Sequence, residues 1–149
     1  MTPYEVRRDH YSITTDPQKQ DLDAIHALLK TTHWAGSMPR DVLEVACANS
    51  LCFALFENDQ LIGFARLITD YCTYAYLTDV VIEESRRGAG LGKWLMEALL
   101  GHPALVPMRR VALLTLDAQK YYEALGFTTD TGRLTYMEKR SSDGAYRLH

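Results

Sequence analysis

Most of what this sequence is short of narrows its function. Its 149 residues contain only three cysteines, Cys47, Cys52 and Cys72, an odd number with no C-x-x-C spacing. That pattern speaks against a disulfide framework and against a zinc site, and suits a reducing compartment with cysteines packed as small hydrophobes. The five histidines are scattered without ligand spacing, so no metal is expected. Positive charge is not in excess: the formal net charge is −3, which speaks against a nucleic-acid partner. No apolar run is long enough to cross a bilayer, and Met1 to Gln20 is too polar for a signal peptide. The expectation is a cytoplasmic protein with neither membrane nor nucleic-acid partner.

What remains is the composition of an ordinary globular domain, 47% hydrophobic and 23% charged. No repeat, low-complexity tract or linker divides the chain, so residues 1–149 are read as a single domain. Ser12-Ile13-Thr14-Thr15 has strand character, and Asp16-Pro17 signals a helix start. Leu22, Ile25, Leu28 and Leu29 recur at helical spacing within 18–30, and a second short helix begins at Asp41. Residues 51–57 and 61–69 form a hairpin with Asn58-Asp59 at its turn; residues 74–82 make a third strand. A helix over 91–100, a strand over 110–115, a helix over 118–125 ended by Gly126 and a last strand over 134–138 complete the reading. The hairpin is antiparallel, and the strand–helix–strand unit from 74 to 115 implies a parallel pair. The expected fold is therefore α/β: one mixed, mostly antiparallel sheet with helices on both faces.

Residues 85–94, S-R-R-G-A-G-L-G-K-W, carry three glycines at alternate positions among three cations. Such density lets a backbone approach something closely, and the charge says that it is an anion. A P-loop fails, because its spacing is not met upstream and Trp94 takes the place of the hydroxyl residue. A dinucleotide fingerprint fails too, because its third glycine falls on Lys93. The pattern [QR]-x-x-G-x-[GA] between strand and helix is satisfied by Arg87, Gly90 and Gly92. It puts successive free amides and a helix dipole at one spot, an anion site suited to a pyrophosphate, with Arg87 and Lys93 at its rim.

With this motif in place, the stretch from Tyr76 to Met96 resembles the fourth strand, pyrophosphate loop and third helix of the GNAT superfamily of N-acetyltransferases, in unbroken register. Downstream, Ala118, Tyr122, Gly126 and Phe127 are similar to its A-x-x-x-Y-x-x-x-G-F segment. The resemblance implies acetyl-CoA as co-substrate, its pyrophosphate on Gly88, Ala89, Gly90, Leu91, Gly92 and Lys93, and its pantetheine arm along Val80, Val81 and Ile82. A backbone N–H there would face the thioester oxygen. Thr115 stands where the family often has an asparagine that contacts the arm.

Tyr122 is the expected general acid, a phenol that holds its proton at neutral pH and faces a departing thiolate; its neighbour Tyr121 points about 100° away on a helix. Asp79 has two readings, a base whose pKa burial would raise or a structural acceptor, and the amine could instead lose its proton through water. Alternation puts Tyr76 and Thr78 on the face opposite Asp79. Trp34, Asp70, Tyr74 and Tyr76 are expected to border the acceptor site, where aromatics and a carboxylate suit a cationic amine. The resemblance implies direct transfer to a primary amine, of a small molecule or a protein, and is compatible with a homodimer. A silent CoA-binding domain and an acyltransferase with a longer donor share the same scaffold.

Overall fold

A computed structural model describes residues 1–149. Six strands lie side by side in chain order: β1 (Glu5–Arg8), β2 (Tyr11–Thr14), β3 (Leu51–Glu57), β4 (Gln60–Thr69), β5 (Tyr74–Ile82) and β6 (Arg110–Leu113). Every neighbouring pair is antiparallel except β5–β6, which is parallel across a helical crossover. The helices are α1 (Leu22–Leu29), α2 (Arg40–Ala48), α3 (Leu91–Leu100) and α4 (Gln119–Glu123). The expected mixed sheet with one parallel pair is present.

Two apolar layers sandwich the sheet. Leu91, Leu95, Met96 and Leu99 of α3 pack with Phe53, Leu55, Ala65, Leu67 and Leu77 on one side. Ile25, Leu28 and Leu29 of α1 and Leu43 of α2 pack with Cys52, Phe64 and Val81 on the other. Burial on both faces explains why Leu51–Leu55 is a continuous apolar run instead of an alternating one. Removing these side chains from water, at about 25 cal/mol per Å² of apolar surface, is the main force holding the sheet between its helices.

Sequence and structure part company in four places. The helix expected over 18–30 is broken: a single 3-10 turn at Pro17–Lys19 precedes Asp21, whose carboxylate caps α1 by accepting from Asp23 N and Ala24 N. The strand Glu5–Arg8, unforeseen because only Val6 in it is apolar, pairs with β2 through a turn at Asp9 and His10. The last helix is shorter than expected, Gln119–Glu123, although Gly126 does follow it with φ +98°. The expected final strand over 134–138 is not formed. Residues 126–149 carry no helix or strand, Leu134, Tyr136 and Met137 stay exposed, and β6 is the free edge of the sheet. An apolar–polar alternation finds its strand only when a neighbour supplies hydrogen bonds, and none is supplied here.

Strand β5 bears one irregularity that shapes everything around it. Its pairing with β4 steps from Thr78 opposite Arg66 to Val81 opposite Phe64, so β5 carries an extra residue. Asp79 sits in that bulge with φ +56°, a left-handed conformation that aspartate tolerates better than most residues. Before the bulge, Tyr74–Leu77 pair with β6; beyond it, Val80–Ile82 have no strand beside them on that side.

Candidate active site

The glycine segment follows β5 directly. Glu84–Arg86 form a 3-10 turn, and Arg86 clamps it to the end of β3 by donating from Nε and Nη2 to Glu57 Oε1 at 3.1 and 2.8 Å. Gly88 and Gly90 then take φ values of +88° and +76°, which explains why glycine is needed at both. Gly90 is the N-cap of α3, and no side chain caps that helix. No amide from Gly88 to Lys93 donates to a protein acceptor. A row of unsatisfied N–H groups at the positive end of a ten-residue helix attracts an anion without any further device.

These amides open on a cleft of about 610 Å³, lined by Val80, Val81 and Ile82, by Arg86, Arg87, Gly88, Gly90, Leu91, Gly92 and Lys93, and by Thr31, Thr32, His33, Trp34 and Tyr121. A Cβ built on Gly88 or Gly90 meets nothing in the protein within 4 Å, so both face open space. Arg87 folds back and donates from Nε to Ile82 O at 3.1 Å, joining loop to strand. Lys93 is exposed, with only Glu97 at 3.9 Å as a distant counter-charge. The groove combines a free strand edge, an amide cradle and cations. Its shape and charge suit an extended anionic molecule.

Asp79 lies behind this edge and does not line the cleft. Its Oδ2 accepts from Arg66 Nε at 2.7 Å, with both side chains nearly sealed from water. Arg66 also donates from Nη1 to Ser50 Oγ at 3.1 Å. Alternation had set Asp79 against Thr78, but the bulge suspends it: Thr78 Oγ1 lies 3.4 Å from Asp79 Oδ1.

The remaining expected site residues are dispersed. Tyr122 is half-buried and its ring meets Phe127 and Tyr121 edge-on at 5.7 and 5.1 Å. Burial pushes its phenol above the ordinary value, as it does for Tyr121. Tyr121 lines the glycine cleft, whereas Tyr122, Thr115 and Tyr74 line a second cleft of about 980 Å³ along β6. Thr115 Oγ1 accepts from Ala118 N at 3.0 Å and helps start α4. Asp70 turns inward on its own loop, accepting from the Thr73 hydroxyl and from the amides of Thr73, Cys72 and Tyr74, bonds that in that order hold its carboxyl far below the usual range. Trp34 and Tyr74 line different clefts: Trp34, from the segment between α1 and α2, shares the glycine cleft with Val80, whereas Tyr74 begins β5, about 20 Å from Val80 at the rise of an extended chain. Tyr76 is half-buried, with Glu138 and Tyr136 close enough to influence it. No group of histidine, cysteine and acidic side chains is placed to hold a metal ion.

Comparison with known proteins agrees with this geometry. The sequence profile of the acetyltransferase (GNAT) family matches residues 19–127. A Gibberella zeae protein assigned as an acetyltransferase is 37% identical over 139 residues, covering 77% of each chain. A crystal structure from Xanthomonas campestris pv. campestris, assigned to the same family, is 38% identical and superposes with a TM-score of 0.84 over 93% of this chain and 98% of that one. The N-acetylglutamate synthase of Neisseria gonorrhoeae, solved with coenzyme A and N-acetylglutamate, shares the fold at a TM-score of 0.65. It is 17% identical, over 80% of this chain and 28% of that one. The chain belongs to the GNAT family of acetyltransferases, enzymes that use acetyl-CoA.

Proposed function

We propose that this protein moves the acetyl group of acetyl-CoA to the primary amine of a small molecule by direct attack within a ternary complex. One observation carries the reading: the run of unbonded amides from Gly88 to Lys93 faces the same cleft as the unpaired edge of Val80–Ile82. Bound acetyl-CoA supplies an activated acetyl thioester. The amides and Lys93 hold its pyrophosphate, while Arg87 keeps loop and strand together. The Val80–Ile82 edge orients the pantetheine arm as an added strand would lie, and a backbone N–H there polarises the thioester carbonyl. Direct attack is favoured because none of the three cysteines lines the glycine cleft or the β6 cleft, so no thiol is at hand to carry the acetyl group.

In the transfer an N–C bond forms, the C–S bond breaks, the amine gives up a proton and the sulfur takes one. Tyr122 is assigned as the donor to sulfur on its register with Gly126 and Phe127, and its burial keeps the proton in place at neutral pH. Tyr121 is assigned to the cleft wall. Asp79 is read as the anchor of the bulge, since its carboxylate is engaged by Arg66, and the amine proton then leaves through water.

Calorimetric titration of acetyl-CoA against wild type and Gly90→Asp tests the site. Micromolar binding that the variant loses supports it, and an amine screen for free-thiol release then tests transfer. Binding without thiol release for any amine points to a CoA-binding domain without activity. No binding by the folded wild type removes the proposal.

A further inference from the structure

Two cysteines come together where α2 hands the chain to β3. Cys47 lies in the last turn of α2 and is half-buried, while Cys52 is the second residue of β3 and is buried. The chain reverses between them, with Asn49 N and Ser50 N donating back to the carbonyls of Ala46 and Cys47. That reversal returns Cys52 Sγ to 3.8 Å from Cys47 O. The neighbouring Cys52 thiol lowers the pKa of Cys47, while Cys47 and burial raise that of Cys52. Arg66 is the cross-strand partner of Cys52, and with Arg40 it favours a thiolate at Cys47; Asp79 opposes them. Neither cysteine lines the glycine cleft or the β6 cleft, so acetyl transfer leaves the pair unused.

We propose that Cys47 and Cys52 form a redox-modification site, in which Cys47 attacks a low-molecular-weight disulfide and Cys52 resolves the product into an intramolecular bridge. In the first step the Cys47 thiolate bonds to one sulfur of the disulfide, and the other sulfur departs as a thiolate. In the second, Cys52 gives up its proton to solvent and bonds to Cys47 Sγ, expelling the second small thiolate. The protein loses two electrons and two protons, and the small disulfide gains them as two thiols. The division of labour follows from position. Cys47 is the more accessible, and Cys52 is sealed behind it with its sulfur already turned toward the same turn. The site does not depend on the acetyl-transfer reading.

Trypsin leaves both cysteines on one peptide, Asp41–Arg66, and Cys72 on another. Folded protein is incubated with oxidised glutathione at mildly alkaline pH, acid-quenched, alkylated, digested and weighed. The expected result is an Asp41–Arg66 peptide short of two hydrogens and unalkylated at both cysteines. In Cys52→Ala, glutathione should remain on Cys47; in Cys47→Ala, Cys52 should stay unmodified while the protein is folded. Without oxidant, wild-type Cys47 should be alkylated at least about tenfold faster than Cys52, a readout that needs no variant. A bridge that forms only in urea, or labelling of Cys52 at the rate of Cys47, overturns the proposal.

Discussion

Arg66 Nε donates to Asp79 Oδ2 at 2.7 Å across β4 and β5, and both side chains are almost wholly buried. The pair sits at the bulge that follows the β5–β6 contact, beyond which Val80–Ile82 have no strand beside them on that side. Asp79 adopts φ +56° there, and its carboxylate bonds offset the strain of that conformation.

Asp79→Ala should lower stability by about 3–5 kcal/mol, because it strands a buried guanidinium as well as removing a partner. Asp79→Asn keeps an acceptor and tolerates the left-handed backbone, so its loss should be smaller. Urea unfolding of the three proteins measures this. A pH–rate profile of Asp79→Asn, once a substrate amine is found, should keep the wild-type acidic limb. Disappearance of that limb would return Asp79 to the role of base.

The two neighbouring tyrosines separate by kinetics. Tyr122→Phe should lower kcat by about 10²-fold with the KM for acetyl-CoA nearly unchanged, as loss of a general acid does. Tyr121→Ala should raise that KM through loss of a cleft wall, leaving kcat within a few-fold. If the kcat loss falls on Tyr121→Phe instead, the general acid is the residue on the glycine cleft.

How much of this was legible beforehand depended on how locally each feature is determined. The glycine segment announces itself because a turn with positive φ at Gly88 and Gly90 leaves a signature in residue type. The Asn58-Asp59 turn does the same, with Asn58 at φ +53°. The bulge at Asp79 left none: its neighbours read as a regular strand, and the ion pair that stabilises it comes from a residue thirteen positions earlier. The Cys47–Cys52 contact was hidden likewise, since it needs the direction in which the chain leaves α2. Strand β1 is a polar edge with no apolar period to mark it, and the 134–138 segment has strand patterning without a paired neighbour.

Acid should weaken the fold through His102. Its ring is 3% exposed, packs edge-on against Tyr4 and Phe53, and accepts from Ala104 N at Nδ1. Burial lowers its pKa from the ordinary 6.5, so the folded state resists a proton that the unfolded chain accepts. The stability tied to the neutral ring is therefore complete above pH 6.5 and is lost as pH falls through that value toward the folded pKa. Unfolding free energy measured from pH 7.5 to 5.5 should decline in wild type. In His102→Asn, which keeps an acceptor for Ala104 N, the decline should flatten. An equal slope in both proteins would assign the acid sensitivity to other groups.

Gly92 distinguishes what the fold needs from what a ligand needs. It lies inside α3, where φ is ordinary, and a Cβ there would come no closer than 3.7 Å, to Ile82 Cγ1. For the protein alone Gly92→Ala is harmless, and alanine's helix preference should raise stability by as much as about 1 kcal/mol. Gly63→Ala makes the contrast: its Cβ would lie 2.9 Å from Ile82 Cδ1 and 3.0 Å from Leu55 Cδ2, overpacking that should cost about 1–3 kcal/mol. The new methyl at Gly92 would instead stand on the wall of the amide cradle. Acetyl-CoA affinity should therefore fall about tenfold or more in Gly92→Ala while the melting temperature holds or rises, as calorimetry and thermal unfolding of one preparation would record. Unchanged affinity would mean that the pyrophosphate does not approach the backbone at Gly92, and the cradle would have to lie nearer Gly88 and Gly90.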